Sequence, residues 1–449
     1  MNLYQDVFFR SLDVLRGRRT IERLHFLRQS QRWDQATLKS WQLARLNDLL
    51  RQARDHSDYY QKLLRQTSLP LKRIEDLAQL PILTKARIQE NFKELQCRNM
   101  PRSRFELART GGSTGEPTYY YWDKRGMDWN RASVYRSAEW AGVALGERTV
   151  QMSGSRFDYN NAQKLLHRLT YFLQRYRDYS VAFMTEELLE KYFQGICRWQ
   201  PTSIWGYASG IHALAEFIRK HHPGTSFDFL RALITSSETL QPEQRGLINE
   251  VFGNNKVFDH YGSREMYMGA ECREHQGYHM HADVLFIEIV DRENRPCRPG
   301  ELGRVLITDL SNHVFPFIRY EIGDLGSLAD ARSCACGVTL PRLARIEGRI
   351  ADVLVLPDRL LTTPNIAVLM SDMRGIKSYQ IRQDSLDEIK LYVVPDAHYT
   401  DTVGQHVVDA FRQMTGDGVK IHLEIVPEIA VSESGKRRFI ISSVSRERI

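Results

Sequence analysis

Three glycines and three hydroxyl side chains fall within six residues of this 449-residue chain, at Thr110-Gly111-Gly112-Ser113-Thr114-Gly115. Glycine has no Cβ and tolerates positive φ, so successive amide N–H groups can turn inward and form a nest for anionic oxygen. The hydroxyls add donors to the same oxygens, and the natural guest is a phosphate. The loop is not a Walker loop, because Glu116-Pro117 follows the last glycine and Tyr119-Tyr120-Tyr121-Trp122 then reads as a strand. Although Gly111 to Gly115 formally fits Gly-x-Ser-x-Gly, a nucleophile elbow needs a helix directly after it, which argues against a hydrolase.

A second chemistry is written in cysteine and histidine. Cys334-Ala335-Cys336-Gly337 is a tight turn presenting two sulfurs, and Cys272 heads a stretch with His275, His279 and His281. Two thiolates in one turn plus a Cys and a His from another segment make a structural Cys₃His zinc site. The set favoured is Cys272, His279, Cys334 and Cys336, with His275 competing for the fourth position. Such a knot pins a hairpin and does not catalyse.

Hydrophobic residues make up 42% of the chain and charged residues 26%, as in globular proteins, and the length calls for two domains. The sequence has neither a long apolar run nor a signal-peptide pattern, so the expected location is cytoplasmic, with cysteines reduced or metal-bound. The net charge of +7 is spread among acids without blocks of like charge, which argues against a nucleic-acid partner. One exception is the segment from Asp6 to Arg32, where Phe8, Phe9, Leu12 and Leu15 stand beside Arg10, Arg16, Arg18 and Arg19. It reads either as an interfacial helix giving peripheral membrane contact or as a packed helix with a solvated arginine face.

These residues need elements to hold them. Residues 1–95 show the three- and four-residue apolar spacing of helices, and Thr84 is placed to cap one of them. From about 105 to 330, short β-rich runs such as Thr149–Met152, Ser203–Gly206, Ala232–Thr235 and Lys256–Asp259 alternate with helical stretches, predicting an α/β core with a largely parallel sheet. Each run ends in small or polar residues, and ligands of open α/β sheets collect at those carboxyl ends. Shorter strands from about 280 to 330 predict a small antiparallel subdomain. The last hundred residues have the pattern of a small α+β domain.

Five segments in order then carry a resemblance. They are the glycine loop, Thr235-Ser236-Ser237-Glu238-Thr239, Tyr261-Gly262-Ser263-Arg264-Glu265, Arg319-Tyr320-Glu321-Ile322-Gly323-Asp324 with Gly348-Arg349, and Ser434-Gly435-Lys436. Together they resemble the adenylate-forming superfamily of acyl-coenzyme A ligases. The likeness is greatest to the phenylacetate-coenzyme A ligase-like family, in the branch associated with capsular polysaccharide biosynthesis, and it includes Leu80-Pro81-Ile82-Leu83-Thr84-Lys85. The implied fold is a large N-terminal adenylate-forming domain, residues 1–350, and a small mobile C-terminal domain, residues 351–449, on a hinge.

The implied activity is ATP-dependent activation of a small-molecule carboxylic acid to an acyl-adenylate with release of pyrophosphate, then transfer to a thiol such as coenzyme A. Transfer to an amine or hydroxyl, or a nucleotide-binding scaffold without ligase activity, are the alternatives. In this reading Thr110 to Gly115 hold the β- and γ-phosphates, Tyr261 stacks on adenine with Gly262 beside it, and Ser236, Ser237 and Glu238 lie by the base. Glu265 ligates Mg²⁺, Asp324 takes both ribose hydroxyls, and Lys436 stabilises the pentavalent transition state. Arg349 and Asp352 sit at the hinge, and relatives carry an arrangement similar to the zinc cluster. The sequence departs from the pattern at Arg264, where many relatives have Thr or Ser, so Ser263 or the guanidinium itself contacts the α-phosphate. It departs again at Leu356-Pro357-Asp358, which replaces a glycine-rich hinge continuation. The acid is not legible; Trp205, Tyr207 and Met266 suggest an aromatic or apolar acyl group.

Overall fold

The computed structural model describes residues 4–109, 118–153, 171–181, 184–349, 354–356, 360–361, 366, 369–370, 373–416, 418–429 and 439–444. Helices α1 (Arg10–Leu15), α2 (Thr20–Ser30), α3 (Gln35–His56), α4 (Asp58–Leu63), α5 (Lys85–Glu90) and α6 (Phe92–Leu95) open the chain. Capping sets their starts: Asp34, Ser57 and Thr84 each accept a hydrogen bond from the backbone N–H three residues on. The stretch from Asp6 to Arg32 is not one interfacial helix. It breaks between α1 and α2 at Gly17, whose φ is +59°, and α2 buries Ile21, Leu24 and Leu27 in the core. α2 is a packed helix, and its arginines are engaged too: Arg23 lies 4.5 Å over the Trp129 ring and Arg28 pairs with Glu139.

Strands β1 (Phe105–Arg109) and β2 (Tyr119–Asp123) form an antiparallel pair that flanks residues 110–117, and helix α7 (Lys124–Trp140) follows. The parallel strands are β3 (Thr149–Ser153), β4 (Tyr176–Ser180), β5 (Ser203–Tyr207), β6 (Ala232–Ser236) and β7 (Val257–Gly262). Between them run α8 (Glu186–Trp199), α9 (Ala208–His221) and α10 (Pro242–Phe252). The strands β8 (Tyr267–Glu271), β9 (Tyr278–Met280), β10 (Leu285–Val290), β11 (Gly303–Asp309), β12 (Tyr320–Leu328) and β13 (Arg342–Arg349) complete this part.

The expected antiparallel strands are present, and they continue the parallel ones. Among the described residues one eleven-stranded sheet runs β10-β11-β12-β13-β9-β8-β7-β6-β5-β3-β4, parallel from β4 to β7 and antiparallel beyond. Its parallel half is covered on both faces, as the two-sided apolar strands require. Ile204, Leu233 and Val257 pack with α8 to α10, while their neighbours Trp205, Ile234 and Phe258 pack beneath α7. Gly206 is needed where β5 passes β3, because a Cβ there would stand 2.2 Å from the Met152 carbonyl oxygen. The antiparallel half shares its core with the N-terminal helices. Within that core the fully buried Arg136 pairs with Asp283 and with His281 Nδ1 at 2.7 Å, tying α7 to the segment after β9.

The segment read as Leu80 to Lys85 lies beside β12. Leu83 bridges Tyr320, and the buried Arg319 donates to the carbonyls of Ala78 and Leu80. Beyond residue 353, β14 (Leu354–Val355) pairs with β15 (Leu360–Leu361). Then β16 (Ile376–Ser385), β17 (Glu388–Pro395), α11 (Asp401–Thr415), β18 (Lys420–Ile425) and β19 (Ile440–Ser442) build a four-stranded sheet ordered β18-β17-β16-β19. A core of its own, from Leu354 to Ile440, holds this α+β unit together. The expected boundary at 350/351 and Asp352 fall outside the described residues. Among the described residues no helix is long and apolar enough to cross a membrane.

Candidate active site

The carboxyl ends of β5, β6 and β7 deliver Tyr207, Ser236 and Tyr261 to one edge of the sheet. At the β6 turn Ser237 takes a positive φ of 69°, and Glu238 Oε2 accepts from the Ser209 amide at 2.9 Å, at the start of α9. A carboxylate there meets the positive end of the helix dipole. The end of β13 approaches the same turn, since a Cβ on Gly348 would lie 3.4 Å from Thr239 Oγ1. Gly348 is registered against Leu325, and Arg349 against Asp324.

From these strands two carboxylates reach the cleft. The Tyr261 hydroxyl donates to Asp324 Oδ2 at 2.7 Å, across 63 residues of sequence, and both residues are 8% exposed. The Tyr320 hydroxyl donates to Glu265 Oε1 at 3.1 Å. Glu265 sits on a tight turn whose Ser263 hydroxyl accepts from the amides of Glu265 and Met266. Burial, with the Glu265 carboxylate adding to it, pushes the Tyr120 phenol far up, opposed by Arg264. Tyr120 lies on β2, so the strand that leaves the glycine loop runs past Glu265 and Arg264.

The structure thus brings Ser236, Ser237, Glu238, Tyr261, Gly262, Ser263, Arg264, Glu265 and Asp324 to one region, with Arg349 in register beside them. The glycine loop, Thr110 to Gly115, and Lys436 lie outside the described residues, as does the Arg349 side chain. Tyr320 and Tyr120 were not among the expected site residues; Tyr320 adjoins the Asp324 motif, but nothing local marks either as a partner of Glu265. The expected acyl-pocket residues separate. Trp205 lines a small surface depression at the amino-terminal ends of β3, β4 and β5, while Met266 is 2% exposed in the core beside the N-terminal helices.

Farther along the antiparallel half, Cys272, His279, Cys334 and Cys336 place their ligand atoms within 4.8 Å of one another. The Cys272 and Cys334 sulfurs are 3.6 Å apart, and Cys336 Sγ is 3.3 Å from His279 Nε2. A tetrahedral centre with metal–sulfur bonds near 2.3 Å has edges of about 3.8 Å, so the spacing fits a Cys₃His metal site. His279 Nδ1 lies 3.3 Å from the Leu340 carbonyl oxygen, a bond that commits its proton and turns Nε2 toward the thiols. Hydrogen bonds from Cys272 and then His279 draw the Cys336 thiol well below the ordinary range, favouring the thiolate a metal needs. His275 is not in the cluster; its Nδ1 faces Glu271 Oε2 at 3.5 Å.

Known proteins resemble this chain in sequence and in fold. Residues 356–443 match the CapK C-terminal domain. Protein CapK of Staphylococcus aureus is 24% identical over 408 residues, covering 89% of this chain and 88% of CapK. A phenylacetate-coenzyme A ligase of Thermus thermophilus is 27% identical, covering 83% and 84%. The crystal structure of 2-hydroxyisobutyryl-CoA ligase in the postadenylation state, in complex with R3-HIB-AMP, superposes with a TM-score of 0.73 at 21% identity, covering 93% and 92%. In sequence the chain is similar along most of its length to CapK and the phenylacetate-coenzyme A ligases, and its fold is that of the adenylate-forming acyl-coenzyme A ligases.

Proposed function

We propose that this protein is an AMP-forming acid–thiol ligase: a carboxylate oxygen attacks the α-phosphorus of ATP, pyrophosphate leaves, and a thiol then attacks the acyl carbon and expels AMP. The observation that carries this reading is the Tyr261–Asp324 hydrogen bond at the strand ends, with Glu265 beside it. An ionised carboxylate can accept about four hydrogen bonds, so the bond from Tyr261 orients Asp324 toward ribose hydroxyls without exhausting it. The ring of Tyr261 then stacks on adenine, beside Ser236, Ser237 and Glu238.

Glu265, held by Tyr320, is the ligand for Mg²⁺, which neutralises phosphate charge when bound. Thr110 to Gly115 cradle the β- and γ-phosphates, between β1 and β2. Ser263 or Arg264 contacts the α-phosphate. Lys436 meets the charge that develops at phosphorus, where donors set in place beforehand lower the barrier most. Residues 351–449 swing about Arg349 and Asp352 between the two half-reactions. Zinc is the metal that suits Cys272, His279, Cys334 and Cys336, and its role is structural. Coenzyme A is the favoured acceptor, given the names of the relatives, and the enzyme acts in the cytoplasm.

The test is pyrophosphate release with a panel of aryl, short-chain and long-chain acids, each with and without coenzyme A. Acid-dependent release is expected, with thioester formed only when coenzyme A is present. Acid-dependent release with no thioester would leave adenylation standing and point to an amine or hydroxyl acceptor. No acid-dependent release from any member of the panel would overturn the ligase reading.

A further inference from the structure

Strand β7 carries an acid that the proposed chemistry does not use. Asp259 stands two residues before Tyr261, on the same face of the strand, and is 7% exposed. Its carboxylate oxygens are met by two hydroxyls. Thr235, directly opposite on β6, donates to Oδ1 at 2.6 Å, and Tyr278, on β9, donates to Oδ2 at 2.7 Å. The Asp259 amide donates to Glu271 Oε2 at 2.8 Å. The cation of the cluster, Arg245 on α10, pairs with Glu271, reaching its two oxygens at 2.9 and 3.0 Å, and so leaves Asp259 to the hydroxyls.

Burial, and then the Glu271 carboxylate beside it, push the Asp259 carboxyl up to about 6. A buried carboxylate held in this way weakens the fold, and an uncharged group of the same shape would cost less. Its contribution is to geometry, because both of its partners lead to the cleft. The Tyr278 ring meets the Tyr261 ring edge to face, with centroids 6.4 Å apart and planes at 66°. Tyr261 is therefore held by its hydroxyl on Asp324 and along its ring by Tyr278. Thr235 immediately precedes Ser236 and Ser237, and Ser237 keeps a φ of 69°, which a residue other than glycine holds only where its surroundings impose it.

We propose that Asp259 is a positioning residue for the nucleotide: through Tyr278 it sets the ring of Tyr261 against adenine, and through Thr235 it sets the turn that presents Ser236 and Ser237 to the base. The inference rests on the reading of this cleft as the ATP site. Asp259 itself touches no substrate atom. It fixes beforehand what ATP would otherwise have to order, so its effect falls on ATP affinity.

Affinity for ATP with Mg²⁺ is measured by titration calorimetry at about pH 8, where the Asp259 carboxyl is ionised, on the full-length protein and on its Y278F, T235V and D259N variants. Pyrophosphate release is followed beside it. Y278F keeps the ring and removes only the bond; it is expected to weaken ATP binding roughly fivefold to tenfold, and T235V about as much. D259N is expected to weaken it more than about tenfold, and Y278F added to D259N less than about twofold further, since one network carries both. KM for the acid is expected to stay within about twofold of the parent's. ATP affinity within about twofold of the parent's in both Y278F and T235V would overturn the proposal, whether or not D259N folds. So would a loss that falls equally on ATP and on the acid, the mark of a merely structural network. A parent chain that binds ATP but releases no pyrophosphate with any acid would sink the ligase reading while the binding data still decide the role of Asp259; a parent that binds no ATP would sink both.

Discussion

At the cysteine cluster four ligand atoms lie within 4.8 Å of one another, whereas in the cleft Tyr261, Asp324, Tyr320 and Glu265 are joined two by two, each pair by a hydrogen bond. The cluster is fixed by β8, β9 and the turn before β13, all within the antiparallel half of the sheet. The described part of the cleft is assembled from the carboxyl ends of β5, β6 and β7, the turn that carries Glu265, and the paired residues of β12 and β13. A metal knot is closed by its own protein ligands and serves stability. The reaction proposed for the cleft needs a site that opens and closes between steps, and hydrogen bonds on separate elements suit that better than a metal knot would.

The contrast breaks most visibly at the cluster. Cys334→Ser is expected to remove about one equivalent of metal and lower the melting temperature by more than about 10 °C, since structural zinc contributes on the order of 10 kcal/mol. His275→Ala is expected to change neither. Metal analysis with differential scanning calorimetry reads both, and less than about half an equivalent in the parent protein would reject the zinc assignment.

In the cleft the largest expected loss is catalytic and not structural. Asp324→Ala is expected to lower acid-dependent pyrophosphate release roughly a hundredfold, from about 3 kcal/mol of charge-assisted hydrogen bonding, with the metal content unchanged. A pyrophosphate assay beside metal analysis separates the two regions directly.

Acid sharpens the comparison. His260 precedes Tyr261 on β7, pairs with Tyr267, and is driven to about 3 from 6.5 by burial. The imidazole is neutral in the folded chain, so its contribution to stability is complete above about 6.5 and is lost as pH falls toward 3. At pH 5 that loss is about 2 kcal/mol, and His260→Gln is expected to flatten the corresponding part of the curve of melting temperature against pH. Identical acid curves for the two proteins would contradict the burial argument. The smallest effect belongs to Tyr261→Phe, which keeps the ring for stacking but removes the bond to Asp324; about a tenfold fall in pyrophosphate release is expected, with ATP affinity the more sensitive readout.

Much of the cleft was legible because its parts are local. Each parallel strand announces itself by a short β-rich run that ends in small and polar residues, so the strand ends carrying Ser236 and Tyr261 could be read from sequence, while Asp324, on the antiparallel β12, and the roles of all three came from the resemblance. The cysteine turn was legible for the same reason. Pairings across long stretches of chain were not. The antiparallel strands themselves were expected, but nothing local tells that β9 pairs with both β8 and β13 and so joins them to the parallel strands in one sheet. Tyr320 and Glu265 meet across 55 residues. Arg136 is wholly buried where Asp283 and His281, far away in sequence, meet it. In the segment from Asp6 to Arg32 the interfacial and the packed-helix readings both stayed open, because arginines look the same in either and only the structure shows the break at Gly17.

The central claim is that Tyr261 and Asp324 hold one nucleotide between them. A crystal structure of the protein with ATP and Mg²⁺ tests it most directly. The account predicts adenine stacked on the Tyr261 ring, the Asp324 carboxylate within about 3 Å of the ribose hydroxyls and Glu265 at the metal. Density for the nucleotide away from both residues would contradict it.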